Sequence, residues 1–241
     1  MRKLTWLFDL DNTLHNASHA IFPAINANMN AFIARILGEA GVPADAEAVN
    51  AARLAYWQRY GATLLGMVKH HQVRQDDFLR EAHRFDDLTT MIRAERGLAR
   101  LLKRLPGRKI LLTNAPSRYS HEVIRHLGLH SHFARHIPIE SMRVHRQLRP
   151  KPSKSLLRKL IAKERTSARR CILVEDSAST LKAAKSLGLR TAWVTRYLAV
   201  YPNLQQSTGS LSRPKLSKRP VYVDVKVKSV RQLTDHLHRL R

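Results

Sequence analysis

Two aspartates one residue apart, Asp9 and Asp11, lie in Phe8-Asp9-Leu10-Asp11-Asn12-Thr13-Leu14, directly after an apolar run. Carboxylates this close repel one another unless a cation neutralises them. Alone, the same residues would serve equally as a turn with a helix cap, since Asp, Asn and Thr are common turn and cap residues. Later positions favour chemistry. Leu112-Thr113-Asn114 offers a hydroxyl followed by backbone N–H groups, a natural phosphate cradle where a strand gives way to a helix. In Arg149-Pro150-Lys151-Pro152-Ser153, two prolines hold a lysine on a short stiff loop, although an isolated lysine elsewhere reads as solvated. Val174-Glu175-Asp176-Ser177 places a second acidic pair where another apolar run stops. In this order the four segments reinforce one another.

Such residues need a scaffold that brings distant loops together. Four apolar, β-branched-rich runs read as buried strands: Leu4–Phe8, Lys109–Leu112, Cys171–Val174 and Thr191–Val194. Helical patterns separate them. Leu98, Leu101, Leu102 and Leu105 form one apolar face, stopped by Pro106-Gly107. Leu181, Ala184 and Leu187 form another, ended by Gly188. Strand alternating with helix predicts an α/β fold with a doubly wound parallel sheet, whose ligands collect at the carboxyl ends of the strands.

Residues 16–95 break the alternation. Ile21, Ile25, Met29, Phe32, Ile33 and Ile36 recur at helical spacing, and two or three further helical segments follow with no convincing strand. The expected organisation is therefore a core of residues 1–15 and 96–241 carrying an all-helical insertion. Within the core, 203–220 reads as a flexible basic loop, rich in Ser and Pro. Val221, Val223, Val225 and Val227 then alternate as a strand, with Leu233 and Leu237 in a last helix.

The chain of 241 residues is 44% hydrophobic, enough for one sizeable core and a smaller module. No apolar stretch reaches the ~18 residues that a membrane span requires, and Leu4–Phe8 is interrupted by Asp9 too soon for a signal-peptide core. The single cysteine, Cys171, sits in an apolar strand and reads as a small buried residue in a reducing, cytoplasmic setting. Lysine and arginine number 43 against 18 acidic residues, a formal net charge of +25. That balance favours phosphate-bearing partners and non-specific affinity for nucleic acid. The cations are scattered, with no RNA-recognition or zinc-finger motif, so a solvated basic surface is the expected reading.

The order Asp9-x-Asp11-x-Thr13, Thr113, Lys151, Glu175-Asp176 resembles the four motifs of the haloacid-dehalogenase-like superfamily, across nearly the whole chain. The insertion resembles that superfamily's type-one cap. Phe8 to His15, Tyr60-Gly61-Ala62-Thr63-Leu64-Leu65-Gly66 and Leu112-Thr113-Asn114-Ala115 look more closely like bacterial pyrimidine 5′-nucleotidases. The resemblance implies a Rossmann-type core and a magnesium-dependent phosphatase in which Asp9 becomes a phosphoaspartate. It implies Asp11 as general acid and base, and a magnesium ion held by Asp9, the Asp11 carbonyl and Asp176. Thr113, the Asn114 amide and Lys151 would bind the phosphoryl oxygens. Many members carry Asp where this chain has Glu175, whose longer side chain would reach the metal through a water. Glu175-Asp176 also occurs in phosphomutase-like members.

The implied substrate is a small phosphate ester, foremost a pyrimidine nucleoside monophosphate, UMP or CMP. Tyr60 and Thr63, beside Gly61, are the expected substrate contacts of the insertion, with Trp57 as its core. His70 and His71 are adjacent, so on a helix they cannot easily chelate one ion. A phosphomutase or sugar phosphatase is the alternative enzyme. A non-catalytic, RNA-associated protein on the same fold is the alternative from another class.

Overall fold

The computed structural model describes residues 4–42, 44–198 and 219–240. The first strand, β1 (Thr5–Phe8), is buried along its whole length. The chain then leaves the sheet for five helices: α1 (Ile21–Glu39), α2 (Ala46–Tyr60), α3 (Thr63–His71), α4 (Gln75–Ala82) and α5 (Leu88–Met91). It returns through α6 (Leu98–Arg104), β2 (Arg108–Leu112), α7 (Ser117–His126) and β3 (Arg135–Ile137). A short antiparallel hairpin, β4 (Arg143–Val144) and β5 (Gln147–Leu148), precedes α8 (Lys154–Lys163). The last elements are β6 (Cys171–Glu175), α9 (Ala178–Lys185), β7 (Arg190–Val194), β8 (Val225–Val227) and α10 (Leu237–Leu240).

Six strands form one sheet in the order β3-β2-β1-β6-β7-β8, every neighbouring pair parallel. This is the expected doubly wound α/β architecture. The order runs outward in both directions from β1, so the topological switch lies between β1 and β6, where ligands of such sheets bind. Alternation divides β1 between the two faces. Leu7 joins Ile110, Leu112, Cys171 and Leu173 in a core that α8 completes with Leu156, Leu157 and Leu160. Trp6 and Phe8 stack with ring centroids 5.9 Å apart, and Phe8 meets the edge of Phe133. The Trp6 indole donates to the Pro106 carbonyl at 2.8 Å. Gly107 follows with φ +92°, and a Cβ there would lie 2.3 Å from the Leu4 carbonyl oxygen, so only glycine admits this turn into β2.

Residues Ser18–Met91 make a separate compact helical unit, apart from 4–17, 92–198 and 219–240. Its division falls a few residues inside the expected 16–95. Of the α1 stripe, Ile21, Ile25, Phe32 and Ile33 are buried, joined by Leu37. The α2 helix is capped by the Asp45 carboxylate, which accepts from the Glu47 and Ala48 backbone N–H groups, and closes on Gly61 at φ +80°.

Three differences from the sequence expectation concern short strands and the final helix. β3 and the β4–β5 hairpin were not foreseen. The alternation from Val221 yields a strand only over Val225–Val227, and Val221 is 96% exposed. Most of the final helix is a 3-10 segment, Val230–His236, held by a Ser229–Gln232 capping box. The expected loop at 203–220 lies outside the described residues, Arg219 and Pro220 excepted.

Candidate active site

Parallel register brings the motif residues together. Phe8 pairs with Leu111 on one side and Val174 on the other, so Asp9, Thr113 and Glu175-Asp176 emerge at the same end of adjacent strands. The Asp9 backbone N–H still donates to the Val174 carbonyl at 3.0 Å. Asp9 and Glu175 are buried and Asp176 is half-buried, and one ligand oxygen of each lies within 4.8 Å of the others.

Lys151 enters this acidic group from the loop after β5. Its ammonium donates to Asp9 Oδ1 and to Glu175 Oε2, both at 2.7 Å, and the side chain is 4% exposed. Burial alone would lower the lysine pKa, but the carboxylates of Asp9 and Glu175 hold it above the ordinary value. Glu175 Oε1 accepts from the Ser177 backbone N–H at 3.2 Å. Burial would raise the Glu175 carboxyl, yet the Lys151 charge keeps it below its usual range. Glu175 is therefore engaged with Lys151 and its own loop, an arrangement that the expectation of a water-mediated reach toward a metal did not contain.

Asp9 and Asp176 behave oppositely. Burial, then the neighbouring Glu175, push both well above the ordinary carboxylate range. Hard carboxylate oxygens crowded together, with the charged form disfavoured, are the donor set that a divalent cation such as magnesium satisfies. The residues present fit that ion.

The expected phosphate cradle has its own internal order. Thr113 is 1% exposed, and its Oγ1 accepts from the Ala115 backbone N–H at 3.1 Å. The Asn114 side chain does not point away as a free ligand. Its Oδ1 accepts from the Lys151 backbone N–H at 2.9 Å, and its Nδ2 donates to the Lys151 carbonyl at 3.0 Å. This two-way clamp fixes the backbone that carries the ammonium.

Asp11 has partners that sequence reasoning missed. After β1 the backbone makes a single helical turn, with Leu14 N–H donating to the Leu10 carbonyl at 2.8 Å, which returns His15 to Asp11. His15 Nε2 lies 2.8 Å from Asp11 Oδ1 and the Tyr119 hydroxyl donates to the same oxygen at 2.5 Å. Tyr119 is 2% exposed and His15 is fully buried. Burial, followed by the Asp11 charge, raises the Tyr119 phenol well above its ordinary value, so it acts as a donor. The Asp11-to-His15 interval was visible in the sequence as i,i+4. Tyr119, on the first turn of α7, carried no local signal.

The sequence family of hydrolases described as haloacid dehalogenase-like hydrolase matches residues 5–188. The chain belongs to the haloacid dehalogenase-like hydrolases. Solved structures of similar fold include a HAD phosphatase of Thermococcus onnurineus, at 16% identity and TM-score 0.61 over 97% of each chain. An L-2-haloacid dehalogenase of Xanthobacter autotrophicus gives 15% identity and TM-score 0.59, over 97% of this chain and 98% of the other. A magnesium-bound HAD-hydrolase of Bacillus subtilis gives 15% identity and TM-score 0.55, over 99% of this chain and 100% of its own. At these identities the likeness is one of fold.

The insertion residues need correction. Thr63 is buried, and its hydroxyl donates to the Arg53 carbonyl at 3.2 Å, so this side chain is spent inside the helical unit rather than offered to a substrate. Trp57 is half-buried and not part of the core. Tyr60 is half-buried, its hydroxyl 2.5 Å from His70 Nε2, with Arg59 and Lys69 over its ring. His71 Nε2 is 2.6 Å from the Tyr56 hydroxyl, so the adjacent histidines serve separate tyrosines between α2 and α3. Gly66 permits this packing, since a Cβ there would lie 2.2 Å from Tyr56 Cγ. Among the described residues no helix is long and apolar enough to cross a membrane.

Proposed function

We propose that this hydrolase is a magnesium-dependent phosphomonoesterase working through a phosphoaspartate on Asp9. One observation carries the reading: the carboxylates of Asp9, Glu175 and Asp176 meet the Lys151 ammonium at the end of the sheet. A carboxylate beside a fixed cation, at the topological switch, is arranged to take up phosphorus.

In the first half-reaction an Asp9 oxygen attacks phosphorus in line, and the bond to the ester oxygen breaks as Asp11 gives that oxygen a proton. In the second, water attacks the phosphoaspartate, Asp11 takes a proton from the water, and the bond from phosphorus to Asp9 breaks. Both carboxyl groups return to their starting states. Thr113, the Asn114 backbone amide and Lys151 stabilise the negative phosphoryl oxygens. Asp9, Asp176 and the Asp11 carbonyl would hold magnesium, which when bound offsets phosphoryl charge.

Within this reading the substrate is a pyrimidine nucleoside 5′-monophosphate, UMP or CMP. The helical segment serves as a type-one cap and Tyr60 contacts the substrate. Support comes from the likeness of Phe8–His15, Tyr60–Gly66 and Leu112–Ala115 to pyrimidine 5′-nucleotidases. The cytoplasm is the proposed compartment, in keeping with the single, buried Cys171, whose thiol burial pushes up to about 11.

The test is a phosphate-release screen with and without Mg²⁺ over pyrimidine and purine monophosphates and sugar phosphates, with Asp9→Asn as control. Metal-dependent release from UMP and CMP, lost in Asp9→Asn, is expected. Release from sugar phosphates alone would overturn the nucleotide assignment, and no metal-dependent release from any ester would overturn the phosphatase.

A further inference from the structure

Asp11 Oδ1 receives two buried donors from two separate segments of the chain: the Tyr119 hydroxyl at 2.5 Å and His15 Nε2 at 2.8 Å. The Tyr119 hydrogen is directed to Asp11, so the longer 3.4 Å approach of Tyr119 oxygen to His15 Nε2 has the tyrosine oxygen as acceptor. Both contacts of His15 Nε2 therefore want a hydrogen on that nitrogen. His15 Nδ1, the other ring nitrogen, is buried without a hydrogen-bond partner. The histidine thus faces Asp11 as a donor.

Two donors on one carboxylate oxygen fix the direction of the whole carboxyl group. We infer that Tyr119 and His15 are positioning residues that hold the Asp11 carboxyl group in one orientation for proton exchange with the leaving oxygen and with water. This inference rests on the proposed phosphomonoesterase and adds the means by which its acid is oriented. During phosphoryl transfer the proton moves from Asp11 to the ester oxygen as that oxygen leaves phosphorus. Charge then grows on Asp11 and is met by donors already in place on Oδ1. The gain is one of preorganisation, because a carboxyl group free to rotate would present either oxygen in any direction.

An acid matters in proportion to the basicity of its leaving group. The experiment therefore compares kcat/KM on UMP, whose leaving group is an alkoxide, with kcat/KM on p-nitrophenyl phosphate, whose leaving phenolate needs little protonation. Wild type, Asp11→Asn, Tyr119→Phe, His15→Gln and His15→Leu are measured with Mg²⁺, and folding of each is verified by thermal unfolding. Tyr119→Phe removes one oxygen and keeps the ring. It is expected to lose roughly 10- to 100-fold on UMP, part of the ~10²–10⁴ that a general acid contributes, and to stay within about threefold on p-nitrophenyl phosphate. Asp11→Asn should show the same selectivity with a larger loss. His15→Gln, which retains an N–H donor, should recover most of what His15→Leu loses on UMP.

Equal losses on both substrates in a folded Tyr119→Phe, or no loss on either, would overturn the inference while leaving the phosphatase intact. If UMP is not hydrolysed, the best alkyl phosphate of the screen takes its place, and a wild-type protein inactive on every ester would overturn the phosphatase and the inference together.

Discussion

Lys151 Nζ lies 2.7 Å from Asp9 Oδ1, although the two residues are 142 positions apart in the chain. The same nitrogen also holds Glu175, so this cation neutralises two buried carboxylates of different strands. Lys151→Met would leave both without it. Expected are a loss of ~10²–10³ in kcat, typical for removal of a donor to a developing oxyanion, and destabilisation of about 3–5 kcal/mol. Steady-state kinetics and urea unfolding check the two effects separately.

Metal removal should act on the same group. The charged forms of Asp9 and Asp176 are disfavoured by burial and by the neighbouring Glu175, so a bound divalent cation relieves repulsion. Thermal unfolding should shift upward with added Mg²⁺, by about 2.7 kcal/mol at 100 times the dissociation constant. Asp176→Asn should blunt the shift. An equal shift in that variant would place the ion elsewhere.

Asn114 acts on Lys151 through the backbone. Asn114→Ala removes the hydrogen bonds to the Lys151 N–H and carbonyl, each worth about 1 kcal/mol. Its effect on turnover should exceed its effect on stability, since a misplacement of ~1 Å in a catalytic group costs ~10²-fold. Asn114→Asp, which retains an acceptor for the N–H, should fall between. A fully active alanine variant would show that the two prolines alone fix the loop.

Away from the active site, Asp224 gives stability a pH dependence of definite sign. Burial would raise its carboxyl, but hydrogen bonds from Lys185 and Thr191 hold it below the usual value. A depressed folded pKa contributes stability that is complete above the unfolded value, about 3.9, and fades as the pH falls through the folded one. Asp224→Asn should therefore cost about 1–3 kcal/mol at pH 7, with the gap to wild type narrowing below about pH 4. Denaturant unfolding at several pH values is the check, and a constant gap would count against the linkage.

In the helical unit, Gly66→Ala would set a methyl group 2.2 Å from Tyr56 Cγ. Overpacking of this kind costs about 1–3 kcal/mol. Calorimetry should show a lower melting temperature, and Tyr56→Ala combined with Gly66→Ala should lessen the clash term.

What was legible in the sequence follows from how each element is stabilised. β1, β2, β6 and β7 each lie between two other strands and are written largely as apolar runs. β3 is an edge strand of three residues, Arg135-His136-Ile137, and its polar composition hides it. Val221 completes an alternating pattern that the sheet does not use, because the backbone turns there and β8 begins only at Val225. Asp9, Thr113 and Asp176 were marked by the ends of legible strands, and Lys151 by its two flanking prolines. Tyr119 could not, since its relation to Asp11 exists only after β1 and β2 pair and α7 starts beside them. Thr63 misled for a similar reason: a hydroxyl next to a glycine looks available until the fold gives it the Arg53 carbonyl.

The sixth strand has a consequence for how the molecule behaves in solution. β8 pairs with Ala192, Trp193 and Val194, and the carbonyls of Val227 and the following Lys228 accept from the Thr195 and Arg196 N–H groups. A shortened chain without 219–240 would retain every candidate catalytic group and yet bare the backbone rim of β7, an open template for another copy to zip onto. Such a product would be competent in design and prone to clump, its solubility resting on a tail that never approaches phosphorus.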